Sequence, residues 1–353
     1  MKPFCRIAVT ASVIILALAL SSCGRQEAPT PTEKATEKLQ VRGAGATFPA
    51  ALYQKWIETY KKQNRDLELH YESVGSGEGI KRFIAGSVDF AASDAAMKDS
   101  EIAQVKRGVR LVPTTAGMVV LAYNLWGVEG DLKLKRDVYV DIFSGKIRKW
   151  NDPRIKEANP HVTLPSMDIT TVSRLDSSGT TYALTNHLSA ISEQWKDGPG
   201  AGKLIDWPGP TMVARGNEGV AQRMKLSEGS IGYVEYGFAK RLGLRVASLE
   251  NKAGQFIKPE LQSGRMALTA SSRDTSHTLQ SFSPDPDGAG SYPIVSFSWL
   301  LLYEQYPDSE KANALKDVVA WGLTEGQKYA EKLGYISLPQ DVVSRALEVV
   351  NRS

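Results

Sequence analysis

Apolar positions along the chain follow two rhythms. Leu67-Glu68-Leu69-His70-Tyr71 alternates with a period of two, as a strand with one buried face does. Leu52, Trp56, Ile57 and Tyr60 recur at helical spacing within Phe48–Lys62 and predict an amphipathic helix. Glu78–Ala85 reads as a short helix and Val88–Ala92 as a short buried strand. Met118–Tyr123 is continuously apolar and reads as a central strand, and Lys311–Val350 is helical again. Stretches rich in Pro and Gly at 197–210 and 283–293 read as loops or crossovers. Strands separated by helices predict an α/β protein with largely parallel sheets. No repeat of fixed period is visible.

The first residues follow neither rhythm. Lys2 and Arg6 precede Ile7–Leu20, an uncharged and mostly apolar run of 14 residues that leads into Leu20-Ser21-Ser22-Cys23. The run is short for a membrane span and suits the core of a secretory signal. The whole segment resembles a bacterial lipoprotein signal, which implies cleavage before Cys23 and lipid on that residue. An ordinary signal peptide or a weak anchor helix is the alternative. Residues 24–40 are polar and rich in Pro, Thr, Glu and Lys, and read as a flexible tether, with the folded part starting near Val41.

Composition narrows the function classes. The 353 residues are 42% hydrophobic and 23% charged, which suits a soluble chain with one large or two ordinary domains. The formal charge of +4 is weak and dispersed, which argues against nucleic acid as a partner. Cys5 and Cys23 are the only cysteines, so a processed chain keeps no free thiol for metal or catalysis. There is no Walker-type loop, no H-E-x-x-H and no G-x-S-x-G, and the four histidines lack metal-ligand spacing. Gly43-Ala44-Gly45 lacks the third glycine of a dinucleotide loop, because Phe48 stands in its place. No cofactor, metal or catalytic residue is expected.

Three segments share one pattern. Gly43-Ala44-Gly45-Ala46-Thr47-Phe48-Pro49 leads into a helix, with Thr47 as a candidate N-cap. Gly75-Ser76-Gly77-Glu78-Gly79 opens the helix Ile80–Ala85, and Asp176-Ser177-Ser178-Gly179-Thr180-Thr181 opens one running to Leu188. Each puts hydroxyls and backbone N–H groups at a helix start, where the helix dipole favours an anion. One such start is ordinary capping, but three suggest a converged oxyanion site. Arg174 could give a bidentate contact, with Asp176 holding its guanidinium. Asp94, after the strand Val88–Ala92, would repel a bare anion but could accept a proton from one that still carries it.

GAGATFPAALYQKW, VGSGEG, VDFAASDAAM, FSGKIRKWNDP, RLDSSGTTY, GSIGYVEYGFAK and GYISLP occur in an order and spacing that closely resemble the phosphate-binding lipoproteins of phosphate-specific ABC transporters. The resemblance covers roughly 41–345. It implies a two-lobed periplasmic-binding-protein fold of type II with phosphate in the cleft between lobes. It implies a signal peptide at 1–22, a lipid-anchored linker at 23–40, lobe I from 41–115 and 293–353, and lobe II from 116–292. The crossings would fall near Pro113–Gly117 and Gly288–Ser296.

Position by position, the resemblance implies that Thr47 offers its hydroxyl and Phe48 its backbone N–H, with Ala46 lining the turn. Ser76 gives its hydroxyl, Asp94 accepts the phosphate proton, and Arg174 is oriented by Asp176. Ser178, Gly179 and Thr180 supply hydroxyls and N–H groups. Gly77 departs from the family pattern, where a second serine is common. The implied partners are inorganic phosphate, permease subunits with their ATPase, and a lipid membrane through Cys23, at an extracytoplasmic face. The rival readings are a binding protein for sulfate, molybdate or tungstate, a phosphatase on the same scaffold, and a sensor or adhesin without transport.

Overall fold

The computed structural model describes residues 38–273 and 283–352, so the leader, Cys23 and nearly all of the tether lie outside the described residues. Lys38–Ser353 forms one compact unit. The strands in chain order are β1 (Leu39–Gly45), β2 (Leu67–Ser73), β3 (Phe90–Ser93), β4 (Arg110–Asn124), β5 (Lys133–Leu134) and β6 (Thr170–Arg174). They continue with β7 (Thr211–Ala214), β8 (Ser230–Glu235), β9 (Arg245–Val246), β10 (Ser248–Glu250), β11 (Phe256–Ile257) and β12 (Val295–Leu302). Nine of them build one sheet in the order β2-β1-β3-β12-β4-β8-β6-β7, with β9 also on β4, while β11-β10-β5 form a small second sheet.

β4 organises the molecule. Its first part, Arg110–Met118, pairs antiparallel with β12, and its second part, Val119–Asn124, pairs antiparallel with β8. One continuous strand therefore belongs to both halves of the sheet. Met118–Tyr123 is almost wholly buried, the condition its unbroken apolar run requires. On one side of β4, the strands β1, β2 and β3 run parallel to one another. On the other side β6, β7 and β8 are parallel. The expectation of largely parallel sheets holds within each half, whereas β4 and β12 run antiparallel where the halves join.

β4 also carries an irregularity. Ser298 pairs with Thr115 and Trp299 with Pro113, so Thr114 is an extra residue opposite β12. Pro113 has no N–H to give the ladder, and a bulge is where a sheet tolerates proline. Thr114 is held there by Ser298 O at 3.1 Å and by the Tyr53 hydroxyl at 2.6 Å.

Both ends of the described chain contribute to the half containing β1. The helix Ala50–Gln63 packs its Trp56 under the C-terminal segment, where the indole N–H donates to Gly326 O at 2.9 Å. The Tyr335 hydroxyl donates to Phe48 O at 2.7 Å, and Gln327 Nε2 to Thr114 O at 2.9 Å. The predicted C-terminal helical stretch is two helices, Ser309–Leu323 and Gln340–Asn351, divided by short 3-10 turns and by Gly334 in a left-handed conformation. β1 begins at Leu39 rather than at Val41, because Leu39 pairs with Leu67 and its N–H donates to Asp66 O. Among the described residues no helix is long and apolar enough to cross a membrane.

Candidate anion-binding site

The carboxyl ends of the parallel strands converge on one place. β1 leads into the turn 46–49, β2 into Gly75 and the helix Ser76–Ile84, and β3 into Asp94. From the other half, β6 ends at Arg174 and a short loop opens the helix Gly179–Ile191. Helix starts gathered at strand ends present unpaired N–H groups and the positive ends of their dipoles to one crevice.

All ten residues singled out from the sequence lie at this junction and are buried. Ala46 is spent on structure: its N–H donates to Ala92 O, and its carbonyl accepts the Tyr71 hydroxyl. Phe48 turns its ring into the core beside Tyr335, so what it can offer a ligand is its backbone N–H. Thr47 is not the helix N-cap. Pro49 precedes the helix without a side-chain cap, and Thr47 Oγ1 instead accepts from the N–H of Asn217 at 3.1 Å and from Asn217 Nδ2 at 2.8 Å. The helix after Gly75 starts at Ser76, earlier than its apolar pattern indicated.

Ser76, Asp94 and Gly179 meet across the two halves. Ser76 Oγ accepts from the N–H of Asp94 at 3.2 Å and from that of Gly179 at 3.1 Å. A Cβ on Gly179 would stand 2.5 Å from Asp94 Cβ and 2.6 Å from Ser76 Oγ, so only glycine fits there. The departure at Gly77 has a similar reason, because a Cβ on it would lie 2.1 Å from Ser177 Oγ. Ser178 caps its helix, its hydroxyl accepting from Thr181 N–H while its own N–H donates to Lys203 O. What Ser178 can still offer a ligand is its hydroxyl proton. Thr180 Oγ1 accepts from Asn217 Nδ2 at 3.2 Å.

Arg174 supplies the charge. Its Nε donates to Asp176 Oδ1 at 2.9 Å and its Nη2 to Asp176 Oδ2, a bidentate pair with both side chains buried. Asp176 also accepts the Gly216 N–H at 3.0 Å. Burial pushes the Asp176 carboxyl up, but the Arg174 bond and charge outweigh it and hold the group below the usual range. Arg174 Nη1 is buried and has no hydrogen-bond partner among the described residues. A buried, unpaired guanidinium N–H is costly unless a ligand takes it.

Asp94 is the opposing charge. Burial pushes its carboxyl up to about 7, against the pull of the Ser298 hydroxyl, the Arg174 charge and Ser76. Ser298 Oγ donates to Asp94 Oδ1 at 2.8 Å, and Ser296 Oγ to the Asp94 carbonyl at 3.1 Å. Both serines lie on one face of apolar β12, beside the Thr114 bulge. Sequence reasoning missed them, although polar residues two apart in an otherwise apolar strand are a signal. It also missed Asn217, at the start of the helix Gly216–Leu226, where Gly216-Asn217-Glu218-Gly219 is glycine-rich like the other starts but carries an amide in place of a hydroxyl.

A cleft of about 680 Å³ opens beside this junction, lined by Thr47, Gly77, Asp176, Ser177 and Gly216. Its rim carries both signs of charge, and Lys203 bridges it to Glu101 at 2.8 Å. Among the described residues no group of three or more His, Cys, Asp and Glu side chains is placed to hold a metal ion.

A model of the PBP superfamily domain matches residues 30–325. The phosphate-binding protein PstS of Pasteurella multocida is 39% identical over 88% of this chain and 89% of its own length. The protein of the same name from Methanocaldococcus jannaschii is 37% identical over 96% of this chain and 93% of its own. The chain belongs to the phosphate-binding protein PstS family, within the PBP superfamily. A phosphate-binding protein from Stenotrophomonas maltophilia superposes with a TM-score of 0.70 at 18% identity, covering 88% of this chain and 94% of that one. The fold is therefore the two-lobed α/β fold of periplasmic binding proteins, its halves joined through β4.

The two buried carboxyls make stability depend on pH. Burial raises Asp94 to about 7 and Glu235 to about 8, so the folded chain holds protons that the unfolded chain has released. Their contribution is fully present below the ordinary carboxyl values of 3.8 and 4.5 and is lost as pH rises through the folded ones. Burial lowers His187 to about 4, so near 6.5 only the unfolded chain protonates it; the opposing slope this gives is smaller than that of the two carboxyls and fades within about a unit above 6.5. In phosphate-free buffer the melting temperature should fall from pH 6.5 to about pH 9. The double variant Asp94→Asn, Glu235→Gln should flatten that fall, and equal slopes in scanning calorimetry would refute the assignment.

Proposed function

We propose that the protein captures inorganic phosphate in the cleft and delivers it to the membrane permease of an ABC transporter, whose ATPase drives import. The reading is carried by Arg174: its fork is locked by Asp176, and Nη1 is left buried without a partner. The names of the relatives support it, since the proteins from P. multocida and M. jannaschii are called phosphate-binding proteins.

In this reading phosphate enters where Ser76 and Gly179 meet. Arg174 Nη1 gives a charge-assisted hydrogen bond to one oxygen. The hydroxyls of Thr47, Ser178 and Thr180 and the N–H groups of Phe48 and Thr180 donate to the others; the Ser76 proton turns to the ligand from Asp94 Oδ2, and the Gly179 N–H, which donates to Ser76 Oγ, lines the same corner. Asp176 stays off the ligand and holds Arg174. Asp94 accepts the hydrogen bond of the proton that phosphate keeps near neutral pH. A fully deprotonated oxyanion such as sulfate has no such proton, so where Asp94 is ionised, above its raised value of about 7, two acceptors would face each other in a site withdrawn from water. Asp94 is thus the feature that favours phosphate over the other tetrahedral oxyanions.

The lobes we assign are 41–115 with 293–353, and 116–292. The pairing of β4 passes from β12 to β8 between Met118 and Val119, and Val119 N–H donates to Ile294 O, which supports hinge crossings beside these positions. Cys23 carries the lipid that holds the protein at an extracytoplasmic membrane face, with the polar tether as spacer. Binding and release without chemistry require no catalytic group, and none is assigned.

Titration calorimetry with phosphate tests the site. Arg174→Ala should weaken binding at least about tenfold, the minimum for losing a charge-assisted bond, and Arg174→Lys should recover part of the loss. Wild-type affinity in Arg174→Ala would remove Arg174 from the site. At a pH well above 7, where Asp94 is ionised, phosphate should be preferred over sulfate by a factor on the order of 10⁴, as expected where a site requires a hydrogen-bond partner. Asp94→Asn should lose this discrimination more than phosphate affinity, and an unchanged preference would show that Asp94 does not set specificity. Mass spectrometry of the membrane fraction should find acyl mass on Cys23, absent in Cys23→Ala; an unmodified, soluble wild type would reject the anchor.

A further inference from the structure

Asn217 is wholly buried, and its side chain ties three parts of the molecule together. Its Nδ2 donates to Thr47 Oγ1 at 2.8 Å and to Thr180 Oγ1 at 3.2 Å. Its Oδ1 accepts the N–H of Glu235 at 3.0 Å, and its own N–H donates to Thr47 Oγ1 at 3.1 Å. Thr47 follows β1, Thr180 opens a helix of the other half, and Glu235 ends β8 opposite Val119, where β4 changes partners. The orientation of the amide is determined by these neighbours. Glu235 N–H can only donate, so Oδ1 must face it and Nδ2 must face the two hydroxyls.

A hydroxyl has two lone pairs and one proton. Both lone pairs of Thr47 Oγ1 are taken by Asn217, once by its N–H and once by Nδ2. The Thr47 hydroxyl can therefore act toward any further group only as a donor. The lone pairs of Ser76 are likewise taken, by the N–H groups of Asp94 and Gly179, but its proton already reaches Asp94 Oδ2 at 3.4 Å. In Ser76 one of those bonds comes from Gly179, which lines the site itself, whereas in Thr47 both come from a residue outside the anion contacts. We propose that Asn217 is a positioning residue of the anion site: it commits the Thr47 hydroxyl to donate and couples it to Thr180 in the opposite half. A ligand that only accepts is then favoured over one that must donate at this corner. The inference rests on the phosphate reading and adds to it a residue that does not touch the ligand.

Two substitutions separate this role from packing. Asn217→Ala removes Nδ2, frees one lone pair on Thr47 and lets its proton turn away. Asn217→Asp keeps the size of the side chain but replaces donor with acceptor, so the Thr47 proton is drawn toward residue 217. Both leave the backbone N–H in place. Calorimetric titration of the mature chain with inorganic phosphate should show Asn217→Ala weaker by about tenfold and Asn217→Asp weaker still, by about a hundredfold or more. The route through Thr47 is checked in a cycle: in a Thr47→Val background, Asn217→Ala should cause little further loss. A purely structural Asn217 would lower the melting temperature of the phosphate-free protein and leave phosphate affinity unchanged, which would overturn the proposal. Independent, multiplying losses in the double variant would overturn the route through Thr47. Should the wild type itself fail to bind phosphate, the functional reading falls first; wild-type binding with undiminished binding in both Asn217 variants overturns only the role of Asn217.

Discussion

The structure depends on keeping charge out of water. Arg174, Asp176 and Asp94 are all buried, and an isolated buried charge costs several kcal/mol or more. Each is handled differently. Asp176 is paired in bidentate fashion and takes a backbone N–H as well, so its charge persists. Arg174 is matched on one edge of its guanidinium and open on the other. Asp94 is surrounded by hydroxyls rather than by a cation, and burial moves it toward neutrality. In the proposed reading, an anion that can both accept and donate complements a site built this way.

The fold supplies the rigid frame that such a site needs. Strands β1, β2, β3 and β6 all deliver their carboxyl ends to the crevice, and each is braced by parallel neighbours. The turn after β1 is pinned by two tyrosines, Tyr71 on Ala46 O and Tyr335 on Phe48 O, from opposite ends of the chain. β4 passes through both halves, and where it changes partners Val119 N–H donates to Ile294 O. The bulge at Thr114 lies on this strand, while the pairing of Trp299 with Ser93 sets Ser298 beside Asp94.

Hydroxyl direction is the second level of control. Thr47 and Ser76 each have their lone pairs occupied by N–H donors, and Ser178 accepts from Thr181. A crevice whose hydroxyls are already committed to donate is preorganised for an oxyanion, and little reorientation remains when one binds. The same logic explains Ala46 and the Ser178 N–H, which lie at the site but are engaged in holding its walls.

Much of this was legible in the chain alone. Glycine with Ser or Thr ahead of an apolar helical stretch identified the segments that open both helices, although the first begins at Ser76 and not at the Ile80 read from its apolar pattern. Arg174 and Asp176 could be paired because two residues at a strand end are close whatever the rest of the chain does. Alternation and apolar runs identified β2, β3 and the core of β4 for the same local reason. Other assignments needed the tertiary structure. Thr47 had the sequence of a cap, yet its hydroxyl is claimed by Asn217, which is remote in sequence and close only after folding. Ser298 reaches Asp94 because β12, from the far end of the chain, pairs with β3 so that Trp299 lies opposite Ser93. The chain by itself determined which segments could present donors to an anion, since that is a property of neighbouring residues. Which donors face one another, and which hydroxyl lone pairs are already filled, was decided by the tertiary structure, because hydrogen bonds at about 3 Å depend on how distant segments are packed together.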